Sequence, residues 1–394
     1  AQAISAERGV RRAAWGMRAE TTCPPCAVHS FELSTPSMSL AQLDTVPASG
    51  VFFEKGEVWR GVPLSNLFAG LGRVIRTKAD TLTRAAQADL FSVSHGVDAF
   101  DLFISHVCST PGFKKYLTLV MDQLGLAAFV AALGVSLGLH AFQALCWELP
   151  QFGTKLQVSF WELLSGVAIA WVVCTFGHVL CRRTCCFFDC ASICQHDADL
   201  KATGIRHIPA FLQASRDLVV LWDERYLTRL WCVYEIAVAQ SVGRMPIRIL
   251  PMCVYASVAA WQMYWLAAAS VQLFVLAEIH EKKRHVVASV CAMMPLFVLQ
   301  AHAGRKFADM YAKLQEQFES FDVRKAAISV ESDRSVIFAS IEDMFGGSLD
   351  KFNKNVRTDL NSTAMRSLIG QKAMIPYRGM LWWSLPSMPL FCAA

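Results

Sequence analysis

The stretch SRDLVVLWDERYLTRLWCVYE, residues 215–235, predicts a buried strand followed by a helix. Its first half is a short apolar run bounded by charged residues, which is typical of a strand covered on both faces. Its second half opens the apolar segment RLWCVYEIAVAQ, residues 229–240, which predicts a helix. One carboxylate, Glu235, lies in that segment, and the positions three and four residues away on the same helical face are uncharged. Glu235 is therefore either buried for a purpose or directed sideways to water.

Strand and helix patterns alternate on both sides of this stretch. AFDLFISH (99–106), CCFFD (185–189) and IRILPMCV (247–254) have the aromatic and branched composition of buried strands. IRHIPAFLQAS (205–215) has the pattern of a helix. Because the alternation has short connections, it predicts an α/β fold with a parallel sheet covered by helices on both faces.

The composition is that of a membrane protein. The chain has 394 residues, of which 54% are hydrophobic and 18% charged, and its mean hydropathy is +0.35. Windows without Asp, Glu, Lys or Arg are 124–147, 163–181, 249–277 and 286–304. Each reaches or approaches the roughly 20 residues that a helix needs to cross a hydrocarbon core. We therefore expect two pairs of transmembrane helices, with buried helices in a large soluble core as the alternative.

Charges flanking the first apolar pair predict its orientation. Basic residues stand at 114–115 and 182–183, outside the pair, so both ends are expected to face the cytoplasm. The strands on either side of the pair then lie on one side of the membrane and can associate. Charges around the second pair hardly distinguish its two possible orientations. However, an even number of spans returns the chain to the cytoplasm. The prediction is an integral membrane protein, in contact with membrane lipid, whose soluble domain faces the cytoplasm.

The predicted organisation divides the chain into seven segments. They are an N-terminal leader, partly disordered, with one helix near 79–90 (1–98), a first strand (99–113), a membrane hairpin (116–181), the main soluble segment (183–253), a second hairpin (255–304), a C-terminal strand and helix (305–346) and a tail (347–394). The C-terminal strand is KAAISV, 325–330, and the following helix has Ser332 as its expected N-cap and Gly346 as its terminator. The tail is expected to be amphipathic and to lie on the membrane surface.

The charge and the cysteine pattern argue against a nucleic-acid-binding or metal-binding protein. The formal net charge of +5 is too weak and scattered to indicate a nucleic-acid surface, so no nucleic-acid partner is predicted. Many of the 14 cysteines lie in apolar windows, where Cys behaves as a small hydrophobe. In CRRTCCFFDCASIC, 181–194, the neighbours Cys185 and Cys186 point to opposite faces of a strand and cannot easily join one tetrahedral site. No metal site is predicted, and zinc in this run or lipidation of Cys181 remain alternatives.

Several of these segments together resemble the TIR (Toll/interleukin receptor) family and its membrane-embedded relatives. In that family an Asp-x-Phe-Ile-Ser-(Tyr or His) strand opens the domain, as DLFISH (101–106) does here. An Asp-containing strand and a long loop follow, and a Trp-Cys-x-x-Glu helix follows the third strand, as in RLWCVYE (229–235). The resemblance implies a TIR-like, flavodoxin-like sheet, interrupted here by the two membrane hairpins. This sequence departs from the family where STPGFKKY (109–116) and a span displace the helix that normally follows the first strand.

The resemblance implies two kinds of function. Some family members assemble through TIR–TIR contacts, and others cleave NAD at the nicotinamide–ribose bond with the Glu that matches Glu235. One carboxylate suffices because nicotinamide leaves as a neutral molecule, so the site has mainly to stabilise an oxocarbenium-like ribose. The first interpretation is therefore signalling or assembly through contacts with other TIR domains, including self-association. The alternative is a membrane-bound NAD+ glycohydrolase (NAD+ nucleosidase), for which NAD is a substrate and no resident cofactor is expected.

Candidate site residues follow from the position of ligands in open parallel sheets, beyond the carboxyl ends of the strands. Glu235 is the candidate catalytic residue, and Ser105, His106 and Trp231 are candidates for binding. Each also has a structural interpretation, as a strand-end residue for Ser105 and His106 and as a core residue for Trp231.

For Glu235 the structural interpretation is a surface ion pair with Arg225 or Arg229.

Histidines in the apolar windows raise a third functional class. His140, His178 and His302 are titratable residues of the kind that mark pores and transporters. The interpretation is disfavoured because no Asp or Glu is expected inside the spans to pair with them.

Overall fold

A computed structural model describes residues 55–151, 159–243, 245–278 and 282–369, all of which belong to one compact unit, Ser49–Ala394. Its strands are β1 Arg60–Pro63, β2 His95–Gly96, β3 Phe100–His106, β4 Cys185–Phe187, β5 Ser215–Trp222 and β6 Ile247–Pro251. Its helices are α1 Lys55–Val58, α2 Leu64–Arg76, α3 Arg84–Phe91, α4 Gly112–Leu145, α5 Trp161–Phe176, α6 Asp189–Ser192, α7 Ala198–Arg206, α8 Ile208–Gln213, α9 Leu230–Ser241, α10 Met252–Glu278, α11 Lys282–Glu319, α12 Ser332–Met344, α13 Leu349–Asn355 and α14 Asn361–Ile369.

The six strands form one sheet in the order β2-β1-β4-β3-β5-β6. The four strands β4, β3, β5 and β6 are parallel neighbours, whereas β1 pairs antiparallel with β4 and with β2. When the four parallel strands are numbered by their order in the chain, their spatial order across the sheet is 2-1-3-4. The winding of the sheet therefore reverses between β3 and β5. The predicted mixed α/β class with a mostly parallel sheet is confirmed.

A hydrophobic core covers each face of this sheet, because successive side chains of a strand point to opposite faces. Phe103, Leu218 and Val220 belong to the core that includes α8 and α9. Leu102 and Val219 belong to the other core, with residues of α2 and the start of α4. Strands buried on both faces explain why their sequences read as continuous apolar runs.

The N-terminal region differs from the predicted leader. From residue 55 onward it belongs to the sheet, since β1 pairs with both β2 and β4. Leu67 and Phe68 on α2 are buried in the core. The α3 helix lies where one was expected, near 79–90. The strands β1 and β2 are too short to give a periodic pattern in the sequence. Only the pairing of β1 with β4 and with β2 reveals them. Residues 1–54 lie outside the described part of the chain.

The first third of α4 follows β3 and covers the sheet, where the sequence predicts a loop and a membrane span in place of a covering helix. Tyr116, Leu119 and Leu124 are buried there against the sheet. Arg248 Nη2 on β6 lies 2.7 Å from both carboxylate oxygens of Asp122 on this part of the helix. The helix has 34 residues and is therefore about 51 Å long, whereas roughly 20 residues cross a bilayer core. One continuous helix is long enough both to cover the sheet and to span a membrane.

Among the described residues, three helices are long and apolar enough to cross a membrane: Gly112–Leu145, Trp161–Cys181 and Met252–Val275. They overlap the first three predicted windows. The fourth window, 286–304, lies within α11, which has 38 residues and contains Pro295. The far end of α11 packs into the soluble core through Met310, Leu314 and Phe318.

Glu162 corrects the expectation that no acidic residue pairs with the histidines of the spans. It lies in the first turn of α5 and is 1% exposed. Its Oε1 lies 3.4 Å from His140 Nδ1 and accepts a hydrogen bond of 2.7 Å from Gln143 Nε2. Ser159 donates to its other carboxylate oxygen. The hairpin brings the end of α4 beside the start of α5, so residues about twenty positions apart meet.

The C-terminal strand predicted at 325–330 is wrong. A 3-10 turn, Val323–Lys325, is followed by a single parallel bridge between Ala327 and Arg229. The next helix begins at Ser332, but its capping position is Glu331, without a side-chain cap bond.

The described part of the predicted tail, up to residue 369, is helical. It buries Phe352, Val356 and Leu360 in the core. It is therefore part of the folded unit rather than a surface segment. The amphipathic stretch at 382–392 lies outside the described residues.

Candidate functional site

The candidate residues gather where β3 and β5 end side by side. Ser105 and His106 are the last two residues of β3 and pair with Val220 and Leu221 of β5. This is the point where the winding of the sheet reverses and where open α/β sheets bind ligands. Because the two residues are adjacent on one strand, their side chains point to opposite faces of the sheet. The structure therefore divides the predicted site into two polar clusters.

The first cluster joins Ser105, Tyr226 and Glu235. The Ser105 hydroxyl donates to Glu235 Oε2 and is hydrogen bonded to the Tyr226 hydroxyl. A hydroxyl has one hydrogen, so when Ser105 donates to Glu235, the Tyr226 hydroxyl must donate to Ser105. Ser105 and Tyr226 are buried, whereas Glu235, on the second turn of α9, is half-buried. The carboxyl group thus contacts one buried hydroxyl, that of Ser105, which Tyr226 holds in turn, and it keeps a side toward solvent.

Burial controls the ionisation of this carboxyl group. It raises the pKa of Glu235 to about 8, and the hydrogen bond from Ser105 opposes the shift. The negative charge of Asp189 adds to the elevation. A carboxyl group with such a pKa is mostly protonated at neutral pH and can exchange its proton there, which is a property of groups that act in acid-base or charge-stabilising chemistry.

The surface ion pair predicted for Glu235 is not formed in the described residues. Arg229 Nη2 donates instead to Ser329 Oγ at 2.6 Å. The backbone N–H of Arg225 donates to Asp223 at 3.0 Å. Asp223 also accepts a hydrogen bond from Thr110 and therefore stabilises a turn at the strand end.

Trp231 lies at the boundary of the core. It is half-buried and packs against the core that includes α9. Its ring meets Tyr234 in an edge-to-face contact with centroids 5.9 Å apart. The side chain lies one turn before Glu235 on α9, so its exposed part borders the open side of the carboxyl group.

The second cluster forms around His106 on the opposite face. His106 Nε2 lies 3.0 Å from Asp189 Oδ1, and its Nδ1 lies 3.1 Å from Lys115 Nζ. The ring packs against Phe188, with centroids 4.9 Å apart. Burial raises the pKa of Asp189, but His106, the Cys190 thiol and Lys115 outweigh it, so the pKa lies below its usual range. Asp189 is therefore a carboxylate held between buried partners.

Sequence reasoning missed Tyr226 and Lys115. Tyr226 follows the end of β5 by four residues, in a 3-10 turn that folds its hydroxyl back to Ser105. The charged, turn-forming segment DERY after a buried strand indicates a strand end, where site residues are expected. Nothing in this segment singles out the tyrosine as a site residue. Lys115 is buried in the first turn of α4, a position that looks in the sequence like the basic flank of a membrane span.

No protein-family model matches this sequence, and neither the curated proteins nor the solved structures contain a match.

The first prediction concerns stability and pH. Between pH 4.5 and 8 the unfolded chain releases the Glu235 proton while the folded chain keeps it, so the unfolded state binds fewer protons and stability falls as pH rises. Glu235→Gln removes this dependence and keeps an acceptor for Ser105. In detergent, its unfolding midpoint should match that of the wild type below pH 4.5 and exceed it increasingly up to pH 8. Glu224→Gln, at an exposed position, is the control, and parallel profiles for Glu235→Gln and wild type would contradict the assignment.

Proposed function

We propose that the chain is a membrane-bound NAD+ glycohydrolase that acts through Glu235 in a TIR-like domain. The contact that joins Ser105, Glu235 and Tyr226 at the reversal point of the sheet carries this proposal. The sequence alone favours contact-based signalling, but it contains no information on the partners of Glu235. A half-buried carboxyl group bonded to the buried Ser105 hydroxyl, which Tyr226 holds in turn, favours chemistry at this residue, because it lies at the usual ligand position of an open sheet.

The proposed reaction uses Glu235 as a carboxylate. The nicotinamide nitrogen of NAD+ carries a positive charge, and an opposite charge nearby lowers the pKa of a buried carboxyl group. Substrate entry therefore favours the ionised form. The bond between ribose C1′ and the nicotinamide nitrogen breaks, its electron pair stays on the nitrogen, and neutral nicotinamide leaves. Glu235 stabilises the positive ribosyl group until a water oxygen bonds to C1′ and loses a proton to the carboxylate or to solvent.

Ser105 and Tyr226 are positioning residues in this scheme. The Ser105 hydroxyl fixes Glu235 Oε2, and the Tyr226 hydroxyl fixes Ser105, which leaves the other carboxyl oxygen available to the open side. A group fixed before the substrate binds needs little reorganisation during the reaction. Trp231, at the border of the open side, supplies an aromatic surface on which a substrate ring can stack.

The TIR-like assignment is part of the proposal. The 2-1-3-4 order of the parallel strands supports it, because flavodoxin-like sheets begin with this order. The position of the Trp-Cys-x-x-Glu segment on the helix after β5, the third parallel strand, agrees with the resemblance.

Integral membrane insertion is also proposed. The three apolar helices expose large hydrophobic side chains, including Val130, Trp171, Phe176 and Phe274. Monomeric soluble proteins rarely expose apolar surface on this scale, whereas lipid accommodates it. With α11 as the fourth span, both hairpins return to the same side and the sheet faces the cytoplasm.

The second prediction tests the reaction. Purified full-length protein in detergent should release nicotinamide from NAD+, and Glu235→Gln should lower kcat/KM by about 100-fold or more. Because the carboxylate is the active form, kcat/KM should rise with pH and level off above about 8. Ser105→Ala removes the hydrogen bond that lowers the pKa of Glu235, so its profile should shift to higher pH.

Control variants show whether a loss of nicotinamide release is specific to Glu235. Glu224→Gln, which lies on the same side of the sheet edge and binds Lys313 at 2.9 Å, should retain wild-type activity. Equal activity in Glu235→Gln and wild type would remove Glu235 from the mechanism. Absence of nicotinamide release from the wild type would remove the enzyme proposal.

Signalling through protein contacts is the second proposed function. The observation that favours it is the continuity of α4 and α11, each of which passes from an apolar window into the soluble core without a linker. Association of the soluble domains would therefore change the positions of the membrane helices directly. A rearrangement of the membrane helices would likewise change the association of the soluble domains. We place the contact surface at residues 190–204, which follow β4; Lys201 lies in this segment and Arg206 just beyond it, and both are exposed on α7.

The third prediction tests assembly. Cross-linking of the full chain in membranes should yield oligomers, and Lys201→Glu combined with Arg206→Glu should reduce them, because the substitutions reverse the charge of the α7 face. Lys354→Glu, on the exposed side of α13, is the matched control. Unchanged oligomers in the double variant would exclude α7 as the contact surface.

The fourth prediction tests orientation. In sealed vesicles with the cytoplasmic side outward, an introduced cysteine at Lys201→Cys should react with a membrane-impermeant maleimide. Cys146, exposed at the far end of α4, should react only after detergent is added. Peptide mapping by mass spectrometry distinguishes the two sites. Labelling of both residues in intact vesicles, or release of the protein by alkaline carbonate, would contradict the proposed topology.

A further inference from the structure

We propose that His106, Asp189 and Cys190 form a binding site for a zinc ion on the face of the sheet opposite Glu235. Their ligand atoms, an imidazole nitrogen, a carboxylate oxygen and a thiol sulfur, all lie within 4.8 Å of one another. This inference is independent of NAD hydrolysis, because the two clusters use different residues.

The spacing of the three ligand atoms suits a small tetrahedral ion. Zinc binds nitrogen and oxygen at about 2.0–2.2 Å and sulfur at about 2.3 Å, so neighbouring ligand atoms of a tetrahedral site lie about 3.3–3.8 Å apart. The distance of 3.0 Å between His106 Nε2 and Asp189 Oδ1 is already near that range. The Cys190 sulfur lies within 4.8 Å of both atoms, so a shift of about 1 Å or less brings it to the distance of a tetrahedral ligand.

The sheet holds these residues in place. His106 ends β3, and Asp189 and Cys190 follow β4, which is the parallel neighbour of β3 with Phe103 opposite Phe187. The His106 ring is buried against Phe188, so its Nε2 has a fixed direction toward Asp189. Ligands on strand ends lose little conformational entropy when the ion binds, which favours a stable site.

The site has an open side and a further donor. The side chain of Asp189 is 38% exposed, which leaves a path from solvent. Cys108 is exposed, and its Sγ lies 3.9 Å from Asp189 Oδ2. A water molecule or the Cys108 sulfur can therefore complete four-coordination. The combination of thiolate and imidazole ligands favours zinc over the oxygen-seeking ions Mg2+ and Ca2+.

Lys115 competes with the ion for His106. Its Nζ lies 3.1 Å from His106 Nδ1, and a lysine ammonium only donates hydrogen bonds. When Nε2 binds a metal, Nδ1 carries the ring hydrogen and requires an acceptor. Zinc binding must therefore displace Lys115, which lies in the first turn of α4. The site is thereby connected to the helix that runs into the proposed membrane span.

The test measures zinc binding to the purified full chain in detergent, by equilibrium dialysis and elemental analysis. We expect one tightly bound ion per chain, with at least tenfold weaker binding in Cys190→Ser and in Asp189→Asn. Binding of Co2+ should produce a thiolate-to-metal absorption band that is lost in Cys190→Ser. Mg2+ at the same concentration should not displace the ion.

Two further variants make the test specific. Cys194→Ser, a buried thiol on the same segment, is the matched control and should bind zinc as the wild type does. Lys115→Gln should bind zinc more tightly, since the glutamine carbonyl can accept the Nδ1–H of His106. Equal binding in Cys190→Ser and wild type would mean that other thiols take up the ion and would overturn the site. Weaker or unchanged binding in Lys115→Gln would overturn the competition.

The binding assay also separates this site from the proposed enzyme. Absence of zinc binding by the wild type, with NAD hydrolysis intact, would refute the metal site alone. Zinc binding without any release of nicotinamide would refute the enzyme alone.

Discussion

Parallel pairing of β3 with β4 and β5 is the interaction on which both candidate clusters depend. The residues that meet there are far apart in the chain, with 83 positions between His106 and Asp189 and 130 between Ser105 and Glu235. Closing loops of this length costs conformational entropy that grows slowly with length. The intervening hairpin reduces that cost, because two packed helices return the chain to its starting point. The burial of Leu102, Phe103, Val219 and Val220 in two cores then stabilises the pairing.

The alternation of side chains along β3 decides how the strand ends are used. Ser105 turns toward Glu235 and Tyr226, whereas His106 turns toward Asp189 and Lys115. One face therefore holds a carboxyl group at the end of a chain of two neutral hydroxyls, and the other holds a histidine between a carboxylate and a lysine. The charge of Asp189 still contributes to the elevated pKa of Glu235, so the clusters interact electrostatically across the strand ends.

Helix α4 links this chemistry to the apolar part of the chain. Its first turn supplies Lys115, the next turns cover the sheet and bind Arg248 through Asp122, and its far end pairs with α5 through the group around Glu162. Buried polar contacts of this kind specify how helices pair, because an unpaired carboxyl group among apolar side chains is strongly unfavourable.

The sequence by itself determined the α/β class, the buried strands at 100–106, 185–187 and 215–222, and three of the apolar helices, because hydrophobic periodicity and length are local properties. It also selected Ser105, His106, Glu235 and Trp231, through strand-end position and family resemblance. It did not reveal β1 and β2, which are stabilised by pairing rather than by pattern. The apolar pattern at 325–330 also predicts a strand, but only one bridge forms there. The partners of each site residue were decided by tertiary structure alone, since Tyr226, Asp189 and Lys115 reach the strand ends through sheet order and helix packing, which no local pattern records.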